Sequence, residues 1–397
     1  FGNIAFGLDL NQNVLNLTGL RADALGIPVS GALAITDPAG ELSYEGNLQM
    51  AAFNPRTVMQ QLGTAMPDTS DSKVLSRASG GFDVTGTTKG VRLSTRAFQL
   101  DDSSISGSFA LIGFANPSYE FNLNVNAIDL DRYLPPESGA RSSGSSDDAH
   151  KALRGLNLSG NAAIGNLKVS DIRLTNFRTG IEASGSKLAL KGMSGGLYDG
   201  TFSGDILLDA AGKTLAWNAN ETFSGVSVGP LLKALANSDR LSGTMNMKSS
   251  LSGSGTGIDQ ILSTVSGKAS FDFRNGSIKG VNIAHVLRDV KAKLRGESVK
   301  QDAAQKTDFS ELQGTATIRN GIVTNRDLVA KSPFLRVTGD GTINLPQSSI
   351  DYLANVKVVN TSKGQGGREF RELEGLTIPV RIRGPFSNLG YFPDVEA

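Results

Sequence analysis

Apolar and polar residues alternate along most of the chain. In Phe121–Ala127 every apolar side chain falls on one face and every Asn on the other, which is the period of a strand with one wet face. Val91 with Leu93, Leu167 with Val169, Phe271 with Phe273, Ile343 with Leu345, and Val356 with Val358 repeat the pattern, as does Ile378-Pro379-Val380-Arg381-Ile382. Ile4, Phe6, Leu8 and Leu10 open the chain inside such a segment, with no Met, basic stretch or apolar leader before it; we read the chain as a piece of a longer protein. About two dozen alternating segments predict a mainly β fold.

A large apolar residue, then Ser or Thr, then Gly, occurs twelve times, at Gly19, Gly31, Gly86, Gly107, Gly160, Gly195, Gly204, Gly225, Gly243, Gly253, Gly267 and Gly339. Gly permits the positive φ of hairpin turns and bulges, and Ser or Thr can bond local backbone. These triplets are expected as breaks between strands. Ordinary turn chemistry explains any one of them; their recurrence favours a long repetitive antiparallel sheet.

Four segments shift from period two to helical spacing: Phe53–Leu62 with Asn54 as cap and Pro55 at the first turn, Ile128–Leu134, Val226–Leu235, and Val281–Val290. Short helices are therefore expected near 230–236 and 282–295, at the ends and edges of the sheet. Pro135–His150 is rich in Ser, Gly and Pro and reads as a linker. It separates an N-terminal segment, 1–134, from a C-terminal region, 151–397. Asn360–Arg368 reads as a long hairpin loop, and Glu297–Asp308 as loop or frayed helix. Pro379 within a strand argues for a position near a sheet edge.

Composition narrows the chemistry. The 397 residues include no Cys and two His, His150 and His285. That excludes disulfides, thiol nucleophiles, Cys-based metal sites and an all-His metal site. No cofactor is expected. Lys and Arg number 39 against 38 Asp and Glu, so no global charge points to nucleic acid. No apolar run reaches the ~18 residues of a membrane span. The best carboxylate clusters are Asp101-Asp102, Asp147-Asp148 and Glu369/Glu372/Glu374. They fall in turns and linkers without convergent partners, so an enzyme is not expected. Trp217 is expected in core or rim packing, with lipid contact as the alternative. From Gly267 onward the chain is net about +5, partly through Arg288, Lys291, Lys293 and Arg295 on the predicted helix. These four are candidates for contact with an anionic membrane surface; the plain alternative is a solvated face above a packed stripe.

From about Leu156 to Ala397 the chain resembles the AsmA family of Gram-negative bacteria. The resemblance is carried by Gly267–Phe271 with Asn275–Ile283, Thr307–Thr315, Asn320–Asn325 with Leu328, Ser332–Gly339 with Gly341, and Gly375–Phe386. Upstream, Gly196–Gly204 leading into Pro230–Leu232 is similar as well. The N-terminal third has the same texture without a sharp motif. The resemblance implies a bridge-like lipid carrier: a long sheet curled into an elongated groove, anchored in the inner membrane and extending across the periplasm. It further implies phospholipid delivery, outer-membrane biogenesis and no catalytic residues.

The residue pattern points the same way. A strand with one apolar face must bury that face against something; a sandwich buries it on a second sheet, and a groove leaves it open to an apolar ligand. About two dozen strands at ~4.8 Å would span on the order of 115 Å. The groove candidates are Leu123, Val125, Leu167, Val169, Phe271, Phe273, Ile343, Leu345, Val356, Val358, Ile378 and Val380. Expected partners are phospholipids or other acyl lipids, with inner- or outer-membrane proteins beside them and no nucleic acid. The alternative is a β-rich scaffold or assembly factor for outer-membrane proteins that conducts no lipid.

Overall fold

The computed structural model describes residues 2–136, 153–280, 283, 287, 288, 292, 306–359 and 373–393. The chain packs into two compact units, Phe1–Gly195 and Gly196–Ala397. Among the described residues, 21 strands belong to one open sheet.

In the first unit, β1 (Gly2–Asn11), β2 (Val14–Ala24), β3 (Ile27–Thr36), β4 (Ser43–Phe53), β5 (Ala78–Thr87), β6 (Gly90–Leu100), β7 (Ser103–Ile112) and β8 (Ser118–Asp129) follow in chain order. Each pairs antiparallel with the next. Strand β9 (Leu158–Val169) then lies parallel to β8, with Tyr119 opposite Leu158 and Val125 opposite Ile164. A parallel pair cannot be closed by a tight hairpin, so the long connection after Asp129 is what this step requires. It departs from the all-antiparallel expectation. Strand β10 (Ile172–Ser184) returns antiparallel to β9, and β11 (Lys187–Leu197) follows.

The second unit runs through β12 (Gly200–Asp209), β13 (Ala216–Ser227), β14 (Leu241–Ser254), β15 (Ser266–Lys279), β16 (Lys306–Arg319), β17 (Ile322–Lys331), β18 (Leu335–Asn344), β19 (Ser349–Val358), β20 (Thr377–Pro385) and β21 (Gly390–Pro393). All neighbours are antiparallel. Pro379 lies in β20, next to the last strand. Strand β21 pairs only with Val380–Arg383 and leaves Pro379 without a partner on that side, as a residue with no N–H permits.

The twelve Ser/Thr-Gly triplets are not the breaks between strands. All twelve glycines lie inside strands. Tight turns fall instead at pairs with positive φ, such as Leu25-Gly26, Ser170-Asp171, Tyr198-Asp199 and Asn320-Gly321, the geometry of the two-residue hairpin. The glycines serve close approach and bulging. A Cβ on Gly107 would stand 1.9 Å from the Asn122 carbonyl oxygen of β8. At Gly19 and Gly225 (φ 58° and 67°) the strand carries one extra residue. That bulge turns Leu17 and Leu20, and Phe223 and Val226, onto one face although each pair is three apart.

Helix α1 (Pro55–Gln61) starts where Asn54 Oδ1 accepts from the Arg56 and Thr57 amides, at 2.9 and 3.4 Å. Leu130–Arg132 is a 3-10 turn, and α2 (Val228–Ala236) ends at Asn237 in the left-handed region. Helix α3 (Ile258–Thr264) was not expected: it is seven residues long and begins after Gly257 without a side-chain cap. Ile283, Leu287, Arg288 and Ala292 are helical. Ile283 and Leu287 pack on Leu335, Val337, Ala354, Val356, Val358, Leu373, Ile378 and Val380, the main core of the second unit. The 135–150 linker beyond Pro136, the 360–368 loop, His150 and His285 lie outside the described residues.

Candidate functional site

Cross-strand register gathers the alternating residues into continuous rows. In the first unit Leu8, Leu17, Leu33, Gly46, Val84, Leu93, Phe109, Phe121, Gly160 and Ile181 stand directly opposite one another in turn. At ~4.8 Å per strand this row is about 43 Å long. A parallel row runs from Val29 through Met50, Gly80, Phe98, Ile105, Val125 and Ile164 to Phe177. One residue out of phase, the other face reads Asn16, Ala34, Glu45, Thr85, Arg92, Ala110, Glu120, Ser159 and Glu182. The apolar face is half-buried rather than closed: Phe109 keeps 40% of its surface exposed.

The second unit repeats the pattern. Val226, Met245, Phe273, Leu312, Ala330, Val337, Val356 and Ile378 form one row. Here the sheet curls enough for residues of β15 and β20 to line one cavity of about 410 Å³, within the size range of ligand pockets. Phe271, Phe273, Phe309, Leu312, Val323, Ile343, Ile350 and Ile382 make its walls. Tyr352 and Asn325 lie among them and satisfy each other. The Tyr352 hydroxyl donates to Asn325 Oδ1, and Asn325 Nδ2 donates to the Thr315 carbonyl at 2.7 Å and to Asp327 Oδ1 at 2.8 Å. Burial pushes the Tyr352 hydroxyl well above its usual pKa, with the Asp340 and Asp327 charges adding to it. Arg240, Lys279, Asp308 and Lys331 also border the cavity.

One carboxylate shares the apolar face of β13. Glu221 is in phase with Ala219 and Phe223, and stands opposite Gly204 on β12 and Ser249 on β14. Burial raises its pKa. Trp217 is in the same phase. Its indole packs over Gly253, where a Cβ would lie 2.6 Å from the ring, and its Nε1 is buried with no hydrogen-bond partner.

The groove candidates fall in several places. Leu123 and Val125 lie half-buried on the apolar face of β8. Phe271, Phe273 and Ile343 line the cavity. Val356, Val358, Ile378 and Val380 share that face but are closed under Ile283 and Leu287, and Val356 is fully buried. Leu345 sits in the turn after β18. Leu167 and Val169 are out of phase with Phe121, Leu123 and Val125, because Leu167 pairs with Ile128; register puts them on the opposite face. Arg288 is half-buried on its helix, and Lys291, Lys293 and Arg295 lie outside the described residues.

Asp101 and Asp102 do have convergent partners, contrary to the sequence expectation. Asp101 accepts from the Leu75, Ser76 and Arg77 amides at 2.7, 3.0 and 3.2 Å, and from the Tyr133 hydroxyl at 2.9 Å. Arg132 bridges Asp71 and Asp102 at 2.9 and 2.7 Å. Beside it Lys168 meets Asp129, Asp131 and Asp171. Every one of these acids is committed to a backbone amide or a cation, so the cluster ties the 70–77 loop to the 3-10 turn. Glu374 forms a backbone bridge to Val358; Asp147, Asp148, Glu369 and Glu372 lie outside the described residues.

An open β-sheet with one apolar face, curled in the second unit around a largely apolar cavity, defines the class of fold. The AsmA family model matches residues 10–328, and the chain belongs to the AsmA family. The match takes in most of the N-terminal third, where no sharp motif stands out. The chain is similar to Protein AsmA of Escherichia coli (strain K12), 23% identical over 328 residues, covering 77% of this chain and 53% of that protein. It thus spans about half the length of that relative. No solved structure matches the chain. The family is linked to outer-membrane assembly and is not in general an enzyme family. Among the described residues no helix is long and apolar enough to cross a membrane.

Proposed function

We propose that the chain carries the acyl chains of phospholipids along its apolar faces, as the periplasmic part of an envelope protein anchored in the inner membrane. In that role it supplies lipid to the outer membrane. The carrying observation is the cavity lined by β15–β20, whose walls are mostly aliphatic and aromatic and in which Tyr352 and Asn325 are paired with each other or with the sheet. Apart from Arg240, Lys279, Asp308 and Lys331 at its border, the lining carries no charged side chain, a poor match for a sugar or nucleotide. Each CH₂ moved from water into such a surface gains ~0.8 kcal/mol, so an acyl chain is held by contact alone. Rows of similar residues give neighbouring positions similar affinity, and a chain can shift along them without meeting a deep trap. Membership of a family linked to outer-membrane assembly supports a role in the envelope.

Photocrosslinking tests this reading. A photoreactive phenylalanine analogue at Phe121 or Phe273 should capture phospholipid in cells. The same residue at Glu120 or Asp272, one position out of phase, should capture none. Equal capture on both faces, or none on either, moves the reading to a β-rich assembly scaffold.

A further inference from the structure

The charges around the second unit's cavity are nearly all spent within the protein. Lys279 bonds Asp239 at 2.6 Å, Lys331 bonds Glu311 at 2.9 Å, and Asp308 pairs with Lys306 at 3.3 Å. Arg240 is the exception. Its guanidinium borders the cavity beside Gly280, whose Cβ, if it had one, would lie 3.2 Å from Arg240 Nη1. Among the described residues no carboxylate pairs with it. The backbone fixes its place: the Arg240 carbonyl accepts from the Lys279 amide at 2.8 Å, and the Tyr391 hydroxyl donates to the Gly280 carbonyl on the same corner. The side chain is exposed, so its charge remains in water while the apolar wall begins next to it.

We infer that this mouth is a headgroup site, where the Arg240 guanidinium holds the phosphate of a phospholipid whose acyl chain enters between Phe273, Phe309 and Leu312. This rests on the lipid-carriage reading and adds the chemistry of the head. A guanidinium presents two parallel N–H donors that match two phosphate oxygens. Beside an exposed guanidinium a fatty-acid carboxylate and a phosphodiester both stay charged; the phosphodiester is the occupant proposed because it is the head of the lipid the cavity is read as carrying, and oleate serves as the comparison. The unpaired cation at one end and the neutral walls beyond it set the orientation, head outward at Arg240 and tail inward.

The test compares phosphatidylglycerol, diacylglycerol and oleate carrying the same fluorescent acyl label, titrated onto the wild type, Arg240→Gln and Arg240→Lys. Circular dichroism and melting temperature of each variant are taken alongside. The wild type should bind phosphatidylglycerol more tightly than diacylglycerol. Arg240→Gln should weaken phosphatidylglycerol roughly tenfold, the loss of one charge-assisted pair, with diacylglycerol unchanged. Arg240→Lys should recover part of the loss, because the point charge remains without the fork. An unchanged phosphatidylglycerol affinity in Arg240→Gln, or an equal loss for diacylglycerol, overturns the headgroup site and leaves lipid carriage standing. A selective loss of oleate overturns the phosphate assignment. A wild type that binds none of the three overturns lipid carriage itself.

Discussion

Tyr352 and Asn325 meet inside a mostly apolar cavity, the phenol donating to the amide oxygen. Each is under a tenth exposed, and neither could stay there unpaired without cost. Tyr352→Phe keeps the ring and its packing but leaves Asn325 Oδ1 without its donor. A buried acceptor stranded in this way costs about 1–3 kcal/mol, so urea denaturation should show a loss of that size. A variant as stable as the wild type would mean that water replaces the phenol.

Glu221 makes the second unit sensitive to pH. Its folded-state pKa is raised above the ordinary Glu value by burial, so the folded state binds its proton more tightly than the unfolded one. Stability from this group is therefore highest below the ordinary value and falls as pH rises toward and through the raised one. Glu221→Gln removes the titration. It should raise the melting temperature at pH 7.5 by a few degrees, for about 1 kcal/mol of relieved burial. The gain should shrink toward zero near pH 4. A difference between wild type and variant that does not depend on pH would contradict the assignment.

The glycines inside strands divide by what a side chain would meet. Gly107 sits at φ +130°, with the Asn122 carbonyl 1.9 Å from any Cβ. Gly107→Val should cost more than about 3 kcal/mol, since both backbone strain and a clash with the neighbouring strand apply. Gly180, also within a strand, would meet nothing closer than the Lys191 carbonyl at 3.5 Å. Gly180→Ala should change stability by less than about 1 kcal/mol. Soluble yield and urea midpoints of the two variants separate the cases.

The period of two made the strands legible, because Phe121–Ala127 and its like have one wet face. Phase was not legible. A pair such as Leu167 and Val169 alternates perfectly well on either face, and only the pairing of Leu167 with Ile128 decides which. The Ser/Thr-Gly triplets were visible but their use was not, since a positive φ serves a turn and a bulge alike; Gly225 shows the bulge. Helix α3 escaped because seven residues after Gly257 carry neither a cap nor enough turns for a helical period. Of the site, Phe271, Phe273 and Ile343 could be read directly. Arg240 could not, because nothing in its sequence neighbourhood says that the charges of Lys279 and Lys331 are already spent.

Asp101 gathers three successive backbone amides and a phenol into one tie. Burial alone would raise its pKa, but the amides of Ser76, Leu75 and Arg77 and the Tyr133 hydroxyl outweigh it and hold the carboxyl below its usual value. Asp101→Ala frees the 70–77 loop from the turn between β6 and β7. Limited proteolysis should then cut at Arg77 or Lys73 under conditions that leave the wild type intact, with a stability loss of about 2 kcal/mol. An unchanged digestion pattern would show that Arg132 and its two carboxylates hold the loop without Asp101.

Native mass spectrometry of the purified chain tests lipid carriage most directly. Leu312 lies on the apolar row of β16, lines the cavity and is 9% exposed. Wild-type protein expressed in a Gram-negative host should carry phospholipid. Leu312→Asp should lose it while the β-sheet circular dichroism is retained, because a carboxylate in that wall is costly to desolvate. Wild-type protein free of lipid, or Leu312→Asp carrying as much phospholipid as the wild type, would contradict the account.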